Sequence, residues 1–317
     1  MKKFLTATAI ILVVLLGILA YAGSFMCNFA LKPSKEGHDL EYYKSRGDTL
    51  APGVIAWFDS LGQTGAFRDT SLTGEGGFRL HGMYALSNNP HNSQGTALII
   101  HGYTDDCHRF LGLARMYRDS LNYNVFLPDL HYHGQSEGKA AQMGWLDRLD
   151  AEKFAAMAHD IFNDDFMVVH GVSMGAATTM MMSGDETPSY VKAFVEDCGY
   201  SSVWNQFAYN LKDSFGLPTF PVLDAASIVC KLRYGWSFKE ASSLEQLAKC
   251  EKPMLFIHGG DDDFVPTPEV YLNYDAKVKG YKDMWIAEGS AHAKSFTDYP
   301  AEYTAKVRDF LSKAREQ

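Results

Sequence analysis

The sequence has no run of lysines or arginines, no internal repeat and no low-complexity stretch. With 29 basic residues against 38 acidic ones, its net charge is −9, and an acidic body repels phosphate backbones. A nucleic-acid ligand is therefore not expected. Cysteine is scarce: five in 317 residues, none in a C-x-x-C pair or at zinc-site spacing. Cys107, Cys198, Cys230 and Cys250 form an even set, so a disulfide is allowed, but a body of this size buries enough core without one. Buried free thiols are the simpler expectation. Charged residues are 21% and apolar residues 46%, which leaves no room for disordered, collagen-like or coiled-coil readings. A mean hydropathy of −0.18 excludes a polytopic membrane protein.

One long hydrophobic run is present. After Lys2 and Lys3, Phe4–Ala22 carries no charge and ends in Ala20-Tyr21-Ala22 before Gly23. Two outcomes compete: cleavage after Ala22, or retention as a signal anchor. At about 19 residues the run approaches the roughly 20 that span a bilayer, and apolar sequence continues through Phe25, Met26, Phe29, Ala30 and Leu31, which favours retention. The basic flank then places the N-terminus in the cytoplasm and the body outside, anchored to the membrane, or secreted or periplasmic if the leader is removed. Ser24-Phe25-Met26 lacks the small residues expected before a lipidated Cys27. The chain divides into a leader over 1–31 and one domain over 32–317.

Within that domain a rhythm of strand, turn and helix recurs. Short apolar runs at Ala97–Ile100, Val125–Leu127, Phe166–Val169, Ala193–Val195, Met254–Ile257 and Met284–Ala287 read as buried parallel strands. Helical stretches lie between them, at about Cys107–Leu121, Gly144–Phe162, Met174–Ser183, Pro268–Val278 and Thr297–Ala314. The fold class is α/β, a mostly parallel, doubly wound sheet. Ala66–Leu72 and Phe78–Leu86 flank a Gly-rich turn and predict an antiparallel hairpin at its start. From about 199 to 249 no strand pattern appears while aromatic residues crowd together, which reads as a small helical cap over the carboxyl ends of the strands.

The string His170-Gly171-Val172-Ser173-Met174-Gly175 carries the most chemical information. G-x-S-x-G between a strand and a helix lifts a serine onto a tight turn, with the free N–H groups of the helix start behind it. The pattern alone is weak in a chain with 27 glycines; its position between an apolar strand and an Ala-rich helix gives it weight. A serine hydroxyl needs a base, and the base needs an orienting acid. His292 in Gly289-Ser290-Ala291-His292 is the only histidine after His258, and both follow predicted strands. Among Asp261, Asp262 and Asp263, Asp262 is favoured because Asp262-x-x-Val265-Pro266 pins the loop, and Asp197 is the fallback acid. The amide of Met174 and that of Tyr103, which follows His101-Gly102, are the candidate oxyanion donors, with Thr104 the alternative to Tyr103. His131-Tyr132-His133 raises a metal reading, but no further ligand cluster lies nearby, so these histidines are expected to tie loops together. No metal and no cofactor are expected.

From about Ala66 to Leu311 the chain resembles the alpha/beta-hydrolase superfamily, especially bacterial membrane-anchored or exported serine hydrolases grouped with serine aminopeptidase-like and prolyl-oligopeptidase-like enzymes. The resemblance rests on HGYTDD at 101–106, PDLHYHGQSEG at 128–138, MGWLDRLD at 143–150, HGVSMGAATTMM at 170–181, VEDCGYSSVW at 195–204, HGGDDDFVP at 258–266 and GSAHA at 289–293. It implies Ser173 as nucleophile, Asp262 as acid, His292 as base, and the Tyr103 and Met174 amides as oxyanion hole. After Pro128-Asp129 the family often has Arg-Gly-His-Gly; here the string is Leu130-His131-Tyr132-His133-Gly134. A serine hydrolase is expected, with an aromatic cap favouring a carboxylic ester as small-molecule substrate. The alternatives are a serine peptidase or aminopeptidase, for which Asp213 and Asp224 are the cap's candidate amine receptors, a lipid acyl hydrolase, and a non-catalytic ligand-binding homologue.

Overall fold

The computed structural model describes residues 2–34 and 40–317. Eight strands form one sheet: β1 (Phe67–Thr73), β2 (Arg79–Ala85), β3 (Thr96–Ile100), β4 (Asn124–Pro128), β5 (Met167–Val172), β6 (Val191–Asp197), β7 (Met254–Gly259) and β8 (Lys282–Ala287). The helices are α1 (Lys2–Leu31), α2 (Leu40–Leu50), α3 (Val54–Gln63), α4 (Leu111–Arg115), α5 (Asp147–Phe162), α6 (Met174–Met182), α7 (Val203–Phe215), α8 (Val222–Tyr234), α9 (Ser243–Leu247), α10 (Pro268–Ala276), α11 (Ser295–Asp298) and α12 (Pro300–Ala314). The strand order is β1-β2-β4-β3-β5-β6-β7-β8. β1 and β2 form the expected antiparallel hairpin, β2 is antiparallel to β4, and all pairings from β4 to β8 are parallel.

Successive side chains of a strand point to opposite faces, so a sheet covered on both sides needs apolar residues at every position. The central strands obey this. Leu98, Ile100, Val169, Phe194 and Phe256 enter one core with α5, α6 and the helices between β6 and β7. Ala97, Ile99, Val168, Val195 and Ile257 enter the other, with α4 and α12. The chain leaves β3 through α4 on one face to reach β4, then returns through α5 on the other face to β5. The loops after β3 and β5, neighbours in the sheet, therefore diverge and leave a crevice at their carboxyl ends, where open α/β sheets bind ligands.

Helix boundaries differ from the sequence reading in three places, one of them the stretch expected over 297–314, which is α11 and α12 separated at Tyr299 before Pro300. The single helix expected over 107–121 is three short pieces: a 3-10 turn at Cys107–Phe110, α4, and a π-helical turn at Met116–Ser120. Asp106 accepts a hydrogen bond from the His108 N–H at 2.8 Å and sets up the tight first turn. The helix expected from Gly144 starts at Asp147, whose carboxylate accepts the Gly144 N–H at 2.8 Å and holds the preceding turn.

Three helices and no named strand occupy the interval between β6 and β7. Ser202 and Ser242 cap α7 and α9 by accepting from the N–H of the third residue on, and Gly216 and Gly235 end α7 and α8 in the left-handed region. Gln206 Nε2 donates to Phe264 O at 2.7 Å and Tyr209 Oη donates to Asp263 O at 2.9 Å. These bonds fasten α7 to the loop after β7. All five cysteines are free and buried.

Candidate active site

The turn between β5 and α6 is built by its glycines. Ser173 sits at φ 58°, ψ −117°, a conformation costly for a residue with a side chain. Neighbouring positions tolerate only glycine: a Cβ on Gly171 would lie 1.9 Å from Gly175 O, and one on Gly175 would lie 2.1 Å from Ile100 O. Because both obstacles are backbone, neither can swing aside. Gly175→Ala is expected to lower stability by about 3 kcal/mol or more, read as an earlier midpoint in denaturant unfolding.

Two loops from the far side of the sheet reach this serine. His292, five residues past β8, places Nε2 at 2.9 Å from Ser173 Oγ and Nδ1 at 2.7 Å from Asp262 Oδ2. The loops after β7 and β8 are tied by Gly260 N–H to Ala287 O at 2.8 Å and Asp261 N–H to Ser290 O at 2.9 Å. Asp262 Oδ1 accepts the N–H groups of Phe264 and Val265, each at 3.0 Å. A second imidazole also faces this carboxylate: His258 Nε2 lies 3.3 Å from Asp262 Oδ2 and donates to Val265 O at 2.9 Å. Burial disfavours the Asp262 charge, but the hydrogen bonds from His258 and His292 outweigh it and hold its pKa down at about 2. Asp262 is therefore an anion at any ordinary pH.

The other acids go elsewhere. Asp261 and Asp263 are exposed. Asp197 accepts from Tyr303 Oη at 3.0 Å, and Tyr303 Oη also meets His170 Nε2 at 2.9 Å, while His170 Nδ1 meets Tyr117 Oη at 2.9 Å. Burial raises the Asp197 pKa to about 6 and lowers that of His170 to about 3, so this buried polar chain braces β5 against α12 without a permanent charge on the imidazole. The Asp197 main chain holds the serine itself, through Ser173 N–H to Asp197 O at 2.8 Å.

Met174 is the first residue of α6, so its N–H has no partner one turn back. The loop after β3 runs alongside: a Cβ on Gly102 would lie 3.4 Å from Ser173 Cβ. His101 Nδ1 donates to Gly102 O at 2.7 Å and Nε2 accepts the Leu130 N–H at 2.9 Å, which fixes the peptide before Tyr103. Thr104 follows at φ 67°, turning the chain away. Asp129 joins this loop to the one after β4, accepting from Cys107 N–H at 2.8 Å and Gln135 N–H at 2.9 Å and pairing with His81 at 2.8 Å. His133 Nδ1 donates to His131 O at 2.9 Å, so the first His of the His-x-His string contributes its carbonyl and the second its ring to loop structure.

Three sets of potential ligand atoms lie within 4.8 Å of one another among the described residues: His81, Cys107 and Asp129; Asp106, Cys107 and His108; Cys198, Asp262 and His292. In each the imidazole already pairs with the carboxylate. Burial also lifts the Cys107 and Cys198 thiols well above their ordinary pKa, which disfavours the thiolate that a metal takes.

Above Ser173 lies a cavity of about 350 Å³, within the range of small-ligand sites. Ser173, Met174 and Tyr103 form its floor, Phe207, Leu211 and Phe238 come from the cap, and among the described residues no charged side chain lines it. Asp213 is exposed and Asp224 faces Lys239 at 3.6 Å; neither reaches the cavity. Three contributors were not foreseen from sequence: Met26, Phe29 and Ala30 of α1 form part of the wall. The available signal was the four-residue spacing of Gly23, Cys27 and Leu31, with Ser24 and Asn28 interrupting an apolar run.

Residues 97–221 match the family model described as alpha/beta hydrolase fold. The chain is 34% identical over 223 residues to the uncharacterized protein YqkD of Bacillus subtilis, covering 70% of this chain and 72% of that one. Among solved structures, the esterase Pf2001 of Pyrococcus furiosus superposes with a TM-score of 0.62 at 23% identity, over 78% of this chain and 92% of that one. A membrane phospholipase A described as a bacterial virulence factor superposes with a TM-score of 0.57 at 17% identity over 100% of both chains. At such identities the two structures share the fold. Sheet order, loop positions, the match over the central strands and the Bacillus relative agree: the chain belongs to the alpha/beta-hydrolase superfamily.

Proposed function

We propose that the protein is a serine hydrolase that cleaves a carboxylic ester through an acyl-enzyme on Ser173. The observation that carries this reading is the unbroken hydrogen-bond chain from Ser173 Oγ through His292 to the Asp262 carboxylate. His292 takes the proton of Ser173 as the hydroxyl attacks the ester carbonyl, and Asp262 holds the imidazole in the required tautomer and stabilises its cation. The amides of Met174 and Tyr103 receive the oxyanion. The leaving alcohol departs with the proton from His292, which then activates water to release the acid and restore Ser173.

An ester is favoured over a peptide because, among the described residues, no carboxylate lines the cavity to recognise a free amino terminus. Its polar lining beyond Ser173 is neutral, including Gln206 and Asn210 from α7. The apolar helix α1, whose richest eighteen-residue window has mean hydropathy 2.6, is assigned as a membrane anchor with the catalytic domain on the extracytoplasmic side. A fluorophosphonate probe tests the enzyme reading. The full chain is expected to gain one covalent adduct on the peptide containing Ser173; no labelling would support a binding protein on the same fold instead.

A further inference from the structure

Helix α1 has 30 residues, about 45 Å of length, whereas a hydrocarbon core takes only about 20 residues. The surplus is not a loose linker. Gly23, Cys27 and Leu31 are buried along one stripe, and a Cβ on Gly23 would lie 2.7 Å from the Ala225 carbonyl carbon, so α1 and α8 meet at backbone distance. The last turn of α1 leaves carbonyls without helical partners. Tyr103 Oη donates to Ala30 O at 2.9 Å and Ala141 N–H donates to Leu31 O at 2.8 Å. Tyr103 thus joins α1 to the loop beside Ser173.

The depth of this junction follows from charge. Arg233 donates to Ser24 Oγ at 2.7 Å and Asn28 Oδ1 at 3.1 Å. A guanidinium is expensive inside hydrocarbon, so the apolar core ends before Ser24, and Phe4–Gly23 supplies the roughly 20 residues it needs. Met26, Phe29 and Ala30 then lie about 5–10 Å past that boundary, in the headgroup layer. Ester bonds of glycerolipids sit at that depth. The helix packed on this segment and the loop before it turn apolar side chains outward: Phe220 is 75% exposed, Ile228 61% and Leu232 81%. Such a patch on an acidic protein marks a contact surface, and continuity with the spanning helix selects the bilayer as its occupant.

We propose that the cavity receives the acyl chain of an ester glycerolipid sideways from the bilayer that α1 crosses, with α1 forming one wall of the passage and Phe220, Ile228 and Leu232 seated in the interface. This rests on the serine-hydrolase reading: the acyl group passes to Ser173, the lysolipid alcohol leaves with a proton, and water frees the fatty acid.

The test uses the full chain in phosphatidylcholine vesicles, with fatty-acid release from the vesicle lipid and hydrolysis of dissolved 4-nitrophenyl butyrate measured on the same preparation. Phe220→Asp combined with Ile228→Asp is expected to lower lipid hydrolysis at least tenfold and to leave the dissolved ester within about twofold. Leu232→Asp alone, at a highly exposed position, is expected to act in the same direction and guards against misfolding of the double variant. Unchanged lipid hydrolysis, an equal loss of both activities, or a wild-type protein that cleaves only the dissolved ester would overturn the lipid assignment and leave the hydrolase standing. Failure on both substrates together with absent fluorophosphonate labelling would instead remove the hydrolase reading beneath it.

Discussion

Replacement of Ser173 by alanine is expected to lower kcat for ester hydrolysis by about 10⁴-fold or more while leaving thermal stability nearly unchanged. The size follows from the way a nucleophile, base and acid act as a unit: once the hydroxyl is gone, neither imidazole nor carboxylate has a proton to move, and only the oxyanion donors and binding remain. Stability is spared because Ser173 Oγ lies at the floor of a cavity and bonds only to His292 among the contacts seen for it. Alanine also retains the main-chain bond from residue 173 to Asp197 O. Steady-state kinetics on a short 4-nitrophenyl ester, with a melting curve, checks both halves. Residual turnover within tenfold of the parent would mean that another group attacks the carbonyl.

The second large effect separates two aspartates that the sequence left in competition. Asp262→Asn is expected to reduce kcat by about 10⁴-fold, since an amide can present a donor to His292 Nδ1 and force the proton onto Nε2, where it can no longer accept from Ser173. Folding survives, because an asparagine oxygen still accepts the Phe264 and Val265 N–H groups. Asp197→Asn is expected to cost less than about tenfold, as its carboxylate bonds to Tyr303 rather than to His292. If the order is reversed, the acid has been misassigned. With a pKa of about 2, Asp262 stays ionised above about pH 3, so any loss of activity between pH 7 and 4 arises from groups other than this carboxylate.

The comparison of these two residues also shows why parts of the site were legible and parts were not. Asp262 was preferred from sequence for the Val-Pro that follows it, a local reason, and the structure brings it to His292 for a different one. The loops after β7 and β8 are pinned side by side by main-chain bonds, with a Cβ on Gly259 only 2.3 Å from Ser290 O. The role of His258 was missed altogether, because a histidine that ends a strand carries no mark of facing a carboxylate four residues later across a turn.

Local chemistry was determined by the sequence alone. Short continuous apolar runs and a Gly-rich hairpin turn located all eight strands, and the glycines around Ser173 announced a turn that no other residue type can make. These features depend on neighbours a few residues apart, whose geometry is set by backbone sterics and side-chain period. Only the tertiary structure decided which aspartate meets His292, that His170 belongs to a buried brace, and that the end of α1 becomes a wall of the cavity. Those outcomes depend on how whole elements cross one another. The apolar residues Met26 and Phe29 serve equally well facing lipid, core or ligand, and the packing of α1 against α8 is what distinguishes the three.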